Sequence, residues 1–64
     1  MRKRVDPNRA NVMAINVERI IMDRVSWPYV RVVGTIDDEP VFLYASRHSA
    51  RRLWPDVEIE EREA

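Results

Sequence analysis

The stretch Tyr29-Val-Arg-Val-Val-Gly-Thr-Ile-Asp-Asp-Glu-Pro-Val-Phe-Leu-Tyr-Ala45 decides the fold of this chain. Two runs rich in β-branched and aromatic residues flank an acidic break, the pattern of two strands joined by a tight turn. With Asp37-Asp38 as a two-residue loop, Val32 falls opposite Leu43, Val30 opposite Ala45 and Gly34 opposite Val41. The other face then pairs Val33 with Phe42 and Arg31 with Tyr44. Slipping the pairing by one residue would turn every one of these side chains to the wrong face, so the register is strongly specified. Pro40 cannot donate to a ladder and belongs at the start of its strand. Gly34, the chain's single glycine, marks a bulge or a close backbone approach.

Downstream of this hairpin, Ser46 or Ser49 can cap a short helix over about 47–53. Ala50, Leu53 and Trp54 fall at helical spacing and would bury one stripe. Pro55 disfavours helical geometry at Trp54 and stops the helix there. Asp56-Val-Glu-Ile-Glu60 then alternates acid with apolar, which reads as a half-buried strand.

Upstream, Val12–Trp27 fits a strand period better than a helical one. Met13, Ile15, Val17, Ile21, Val25 and Trp27 share one parity, with interruptions at Arg19 and Asp23. The alternative is an additional N-terminal helix over 12–25. Residues 1–11 show charge, Pro7 and two asparagines without apolar periodicity, so they read as a flexible basic arm. Residues 12–61 then form a single small domain, and 62–64 a frayed tail. The expected fold class is α+β: a small three- to four-stranded, mainly antiparallel sheet with one short helix before the last strand.

The sequence also echoes itself. Trp27-Pro28-Tyr29-Val30-Arg31-Val32 is matched by Trp54-Pro55-Asp56-Val57-Glu58-Ile59. The echo predicts two strands of one sheet, with Val30, Val32, Val57 and Ile59 on the core face. Arg31 would then sit near Glu58 or Glu60 on the other.

Composition narrows the class of protein. Sixty-four residues make one domain, whose small core yields only roughly 3–5 kcal/mol of net stability without a staple. There is no cysteine and only one histidine, so disulfides, cysteine-zinc sites and His-rich metal sites are excluded. Self-association remains as a staple, and a homodimer is a reasonable expectation. Apolar residues are 45% of the chain and charged residues 34%, too hydrophobic for disorder and too evenly charged for a membrane span. Met1-Arg-Lys-Arg4 has the charge of a signal-peptide start, but Asp6, Pro7, Asn8 and Arg9 stand where an apolar segment would be needed. A cytoplasmic location follows as the default.

Net charge is zero but unevenly spread. Residues 1–36 hold Arg2, Lys3, Arg4, Arg9, Arg19, Arg24 and Arg31 against three acids, and residues 37–64 hold eight acids against four arginines. The two halves can neutralise each other across a sheet, or the basic half can meet a polyanion.

Catalytic equipment is sparse. His48 is the only evident base near Ser46 and Ser49, and helix capping accounts for those residues. Asp37, Asp38 and Glu39 lack the spaced ligands of a calcium loop and read as a solvated turn. Glu58, Glu60 and Glu61 read as a solvated strand face, and one glycine cannot build a phosphate loop. The sequence therefore predicts no enzyme, no catalytic, cofactor or metal residues, and no small-molecule substrate.

Two kinds of binding remain. A protein-interaction or regulatory module would bind a protein partner, or itself, through a sheet face or edge. Its candidate residues are Tyr29, Arg31, Phe42 and Tyr44, since one helix cannot cover both faces of such a sheet. The alternative is a nucleic-acid-binding protein using Arg2, Lys3 and Arg4 from the arm with Arg47, Arg51, Arg52 and Trp54 from the helix. Salt-sensitive binding lost on reversing Arg51 and Arg52 would mark the second.

Overall fold

The computed structural model describes residues 1–9 and 11–62. It contains β1 (Lys3–Arg4), a 3-10 turn over Val12–Ala14, β2 (Asn16–Met22), β3 (Val30–Ile36), β4 (Glu39–Ala45), α1 (Arg47–Leu53) and β5 (Ile59–Glu61). The strands form one mixed sheet in the order β1-β4-β3-β2-β5. The fold is thus α+β with one helix before the last strand, as expected, but the sheet has five strands rather than three or four.

The central hairpin adopts the register its side chains demand. Val30 pairs with Ala45, Arg31 with Tyr44, Val32 with Leu43, Val33 with Phe42 and Gly34 with Val41. Asp37 and Asp38 both take positive φ, 50° and 65°. That is the turn whose twist matches the flanking strands, and Asp tolerates it through its short polar side chain.

The expectation of a mainly antiparallel sheet is corrected at both edges, where β1 and β5 run parallel to their neighbours, and the last strand spans Ile59–Glu61 rather than 56–60. β1 pairs with β4, and the ladder continues through the Val5 amide, which donates to the Phe42 carbonyl at 2.9 Å. Part of the expected flexible arm is therefore an edge strand. Two residues carry too little pattern to announce a strand, and parallel pairing leaves no local turn signal. At the opposite edge β5 pairs with β2, Ile20 against Ile59 and Ile21 against Glu60. Beyond it, the Arg62 amide donates to the Met22 carbonyl at 2.8 Å. The remainder of the expected tail lies outside the described residues.

The strand reading of the N-terminal segment prevails over a helix across 12–25, but its parity is not constant. The β2–β3 register shifts between Val17 and Arg19, an extra residue that reverses alternation. Val17 packs against the core on one side of the shift and Ile20 is fully buried in it on the other. Gly34 is the close approach that permits this. A Cβ there would lie 2.1 Å from the Asn16 carbonyl oxygen.

The core fills one face of the sheet. Ile15, Ile20, Val30, Val32, Val41, Leu43 and the helix's Ala50 form it, with Val5, Val57, Ile59 and Trp54 packed at its margin. Ser46 caps α1, its Oγ accepting from the Ser49 amide at 3.0 Å. The helix ends at Leu53, before the Trp54-Pro55 step. Val30, Val32 and Ile59 do share the core face, as the echo predicts, but β2 stands between β3 and β5. Arg31 consequently meets Asp23 at 2.7 Å, while Glu60 faces Arg19 at 3.9 Å. The predicted Arg31–Glu60 neighbourhood is corrected by that intervening strand.

Candidate functional site

The helix covers only one face. On the other, Phe42 and Tyr44 project from β4 at i and i+2, their rings 5.8 Å apart and edge to face. The Arg4 guanidinium lies over the Tyr44 ring at 5.0 Å from its centre, close enough for a cation–π attraction. Beneath this layer Val33 and Ile21 are nearly buried, 9% and 7% exposed. This face is therefore a second, thinner apolar layer capped by aromatic and guanidinium groups.

Next to it stands the loop from Asp23 to Tyr29. Its shape comes from Asp23. One carboxylate oxygen accepts from the amides of Val25 and Ser26, both at 3.0 Å, and the other accepts from Arg31 at 2.7 Å. The Asp23 amide donates to Ser26 Oγ at 3.0 Å, and Ser26 is itself buried. Short Asp side chains favour such turns by bonding their own backbone two residues on. The Ser26 amide bond, then the Arg31 charge and the Val25 amide bond, hold the Asp23 carboxyl below its ordinary pKa against a partial desolvation cost. Around this turn, which the cis Trp27-Pro28 bond follows, Val25, Trp27 and Tyr29 are 76%, 70% and 54% exposed.

Loop and sheet enclose an open groove of about 500 Å³ lined by Arg4, Val25, Ser26, Trp27, Tyr29, Tyr44, Ala45 and Ser46. Its lining holds three aromatic rings, two serine hydroxyls beside the two phenols, one cation and no carboxylate. The Asp23 carboxylate lies behind the lining, occupied by the Val25 and Ser26 amides and by Arg31, while Asp6 borders an adjoining depression shared with Arg4 and Tyr44 and pairs with Arg9 at 3.9 Å.

Of the four residues expected on a sheet-face site, Tyr29 and Tyr44 line this groove. Phe42 supports it through Tyr44, and Arg31 anchors Asp23 from behind. The second expected set is divided. Arg4 is in the groove, whereas Arg2 donates to the Gly34 carbonyl at 2.7 Å and pairs with Glu18 at 3.3 Å. Lys3 lies exposed on β1. Arg47 and Arg51 line a different depression together with Glu58 and Glu61, and Arg47 is ion-paired to Glu61. Arg52 is exposed on the last turn of α1, and Trp54 packs against the core. His48 is exposed on α1.

Trp27, Val25 and the organising Asp23 were not foreseen as site residues. The strand reading of 12–27 grouped Val25 and Trp27 by parity with Met13, Ile15, Val17 and Ile21, while the available signal was the Asp23-x-x-Ser26 spacing of a self-bonded turn before Trp-Pro. Among the described residues no helix is long and apolar enough to cross a membrane, and no cluster of His, Asp and Glu could hold a metal ion. Comparison with protein-family models, with curated proteins and with solved structures gives no match.

Proposed function

We propose that this chain is a protein-interaction module that takes a segment of a partner into the groove between the 23–29 loop and the end of β4. The observation carrying this reading is the lining itself. Three partly or largely exposed aromatic rings and an arginine converge on one concavity without a carboxylate among them. Trp, Tyr and Arg dominate the energetics of protein interfaces because they desolvate large rigid areas at low entropic cost. The loop that presents them is fixed in advance by Asp23, so little ordering cost falls on binding. Scattered apolar residues are ordinary on any surface, but a continuous concave set is not.

The test is selection from a displayed random-peptide library on the intact protein. Selected sequences are then titrated while tryptophan emission is followed. Trp27 is exposed and Trp54 is packed against the core, so a change lost in Trp27→Ala and kept in Trp54→Phe reports the groove. Peptides that bind wild type and lose at least about tenfold in affinity on Tyr44→Ala support the reading, since tenfold is ~1.4 kcal/mol. Peptides indifferent to Tyr44→Ala and Trp27→Ala, or no enrichment at all, would sink it. A single-stranded oligonucleotide provides the contrasting arm. Quenching that weakens with salt and vanishes in Arg4→Glu would replace the protein partner with a nucleic acid stacked on these rings.

A further inference from the structure

Among the described residues outside ion pairs, three acids cluster at the hairpin tip and two arginines stand at or beside the groove, the others being Lys3, opposite Val41 on β1, and Arg51, Arg52, Asp56 and Glu58 around the helix and the turn after it. At the tip of the β3–β4 hairpin, Asp37, Asp38, Glu39 and Pro40 are all exposed. None of the three acids joins an ion pair among the described residues. At the other end of the same hairpin lies the groove, where neither Arg4 nor Arg24 on the bordering loop is ion-paired among the described residues. The groove thus presents aromatic rings and a free cation, and the tip presents three free anions beside a proline.

We infer that the occupant of this groove is the Asp37–Pro40 hairpin tip of a second copy of the chain, in a head-to-tail contact. The inference rests on the groove being a protein-binding site and names its partner. Charge and shape both favour it. The two ends are of opposite sign, which steers and registers association. Two consecutive left-handed residues make the tip a fixed protrusion rather than a floppy loop. Zero net charge leaves no overall repulsion between copies. The contact cannot close within one molecule. β3 and β4, seven residues each, hold tip and groove roughly 20 Å apart at about 3.3 Å per residue. Because the two patches differ, the contact is heterologous and propagates into rings or short filaments rather than stopping at a two-fold dimer. A tip entering a single groove buries less than about 1,200 Å², which belongs to weak, transient association.

Complementary dead variants give the decisive experiment. Asp37→Asn with Asp38→Asn and Glu39→Gln removes the tip charge and keeps a turn that asparagine favours. Arg4→Glu with Trp27→Ala disables the groove at exposed positions. Sedimentation velocity and light scattering, at chain concentrations from about 10 µM to about 1 mM, read the assemblies at this affinity. Wild type should grow beyond dimer with concentration and shrink at least tenfold in association constant between low and high salt. Each variant alone should stay monomeric, and the equimolar mixture should form a 1:1 pair, since it retains one working groove and one working tip. A wild-type monomer throughout the range would overturn self-docking, as would association of either variant alone or a mixture without pairs. If library peptides still bind the groove in that case, the module reading stands and only the self-partner falls. Circular dichroism of both variants guards against misfolding, and retained peptide binding by the tip variant confirms an intact groove.

Discussion

The molecule uses the dipeptide Trp-Pro twice, in opposite ways. At Trp54-Pro55 the indole follows the last turn of α1, whose stripe begins at buried Ala50, and it folds back onto the core margin. At Trp27-Pro28 the indole follows a turn tied down by Asp23 and stands 70% exposed. Local sequence after the two prolines alternates polar and apolar residues in both places, although the first corner leads directly into β3 and the second into a turn before β5. What differs is the element before the corner. A helix lying on the sheet carries its final residue toward the core, whereas a loop bonded to itself carries its residue away from it. The same side chain is structural in one place and available for contact in the other.

This contrast can be broken or sharpened by substitution. The largest effect is expected where both corners share a support. β2 leads into the Asp23 loop and also pairs with β5, and its seating depends on Gly34. Gly34→Ala places a methyl against the Asn16 backbone, so stability in urea should fall by about 3 kcal/mol, at the upper end for overpacking. Next comes the comparison itself. Trp54→Ala should cost about 2 kcal/mol, less than a fully buried tryptophan because it lies at the core margin, and Trp27→Ala should change stability by less than about 0.5 kcal/mol. Equal losses at the two positions would erase the distinction between the corners. Smaller is Ser46→Ala, expected to cost about 1 kcal/mol by removing the cap that starts the helix. Thermal unfolding followed by circular dichroism checks it.

The most local effect concerns Asp23. Its carboxyl titrates below the ordinary value in the folded chain, so the ionised form is favoured by folding. Its contribution is fully present above the unfolded value of about 3.9 and is lost as pH falls through the lower folded value. Carboxyl chemical shifts of Asp23 should therefore show a depressed midpoint. In Asp23→Asn, amide exchange at Val25 and Ser26 should accelerate while exchange in β3 and β4 holds. A midpoint at the ordinary value, or unchanged exchange, would mean that the Trp27 loop is held by something other than this carboxylate.

The hairpin was legible residue by residue because its two strands are adjacent in sequence and every cross-strand pair agrees with the turn. The helix was legible for the same reason, with Ser46 and Pro55 bounding it within a few residues. Neither parallel strand carries such a local constraint. Arg4 finds Phe42 across thirty-eight residues of chain, and nothing near Lys3 or Arg4 signals it. The bulge in β2 was visible only as broken alternation, since its cause, the missing Cβ of Gly34, lies on another strand. The site divides similarly. Phe42 and Tyr44 followed from face assignment once the hairpin was known. Their juxtaposition with Arg4, Trp27 and Tyr29 needs three separate segments to meet.

The sequence by itself therefore determined the hairpin and its register, the capped helix and the lack of cysteine or clustered histidine, whereas the expected strand over 56–60 is a turn followed by the short strand Ile59–Glu61. The former follow from short-range periodicity, turn stereochemistry and composition. Only the tertiary structure decided that the basic start is an edge strand, that β2 separates Arg31 from Glu60, and that one tryptophan faces the core while the other faces solvent. Those outcomes depend on contacts between residues distant in sequence, where pairing is set by which faces and edges remain after the local elements have formed.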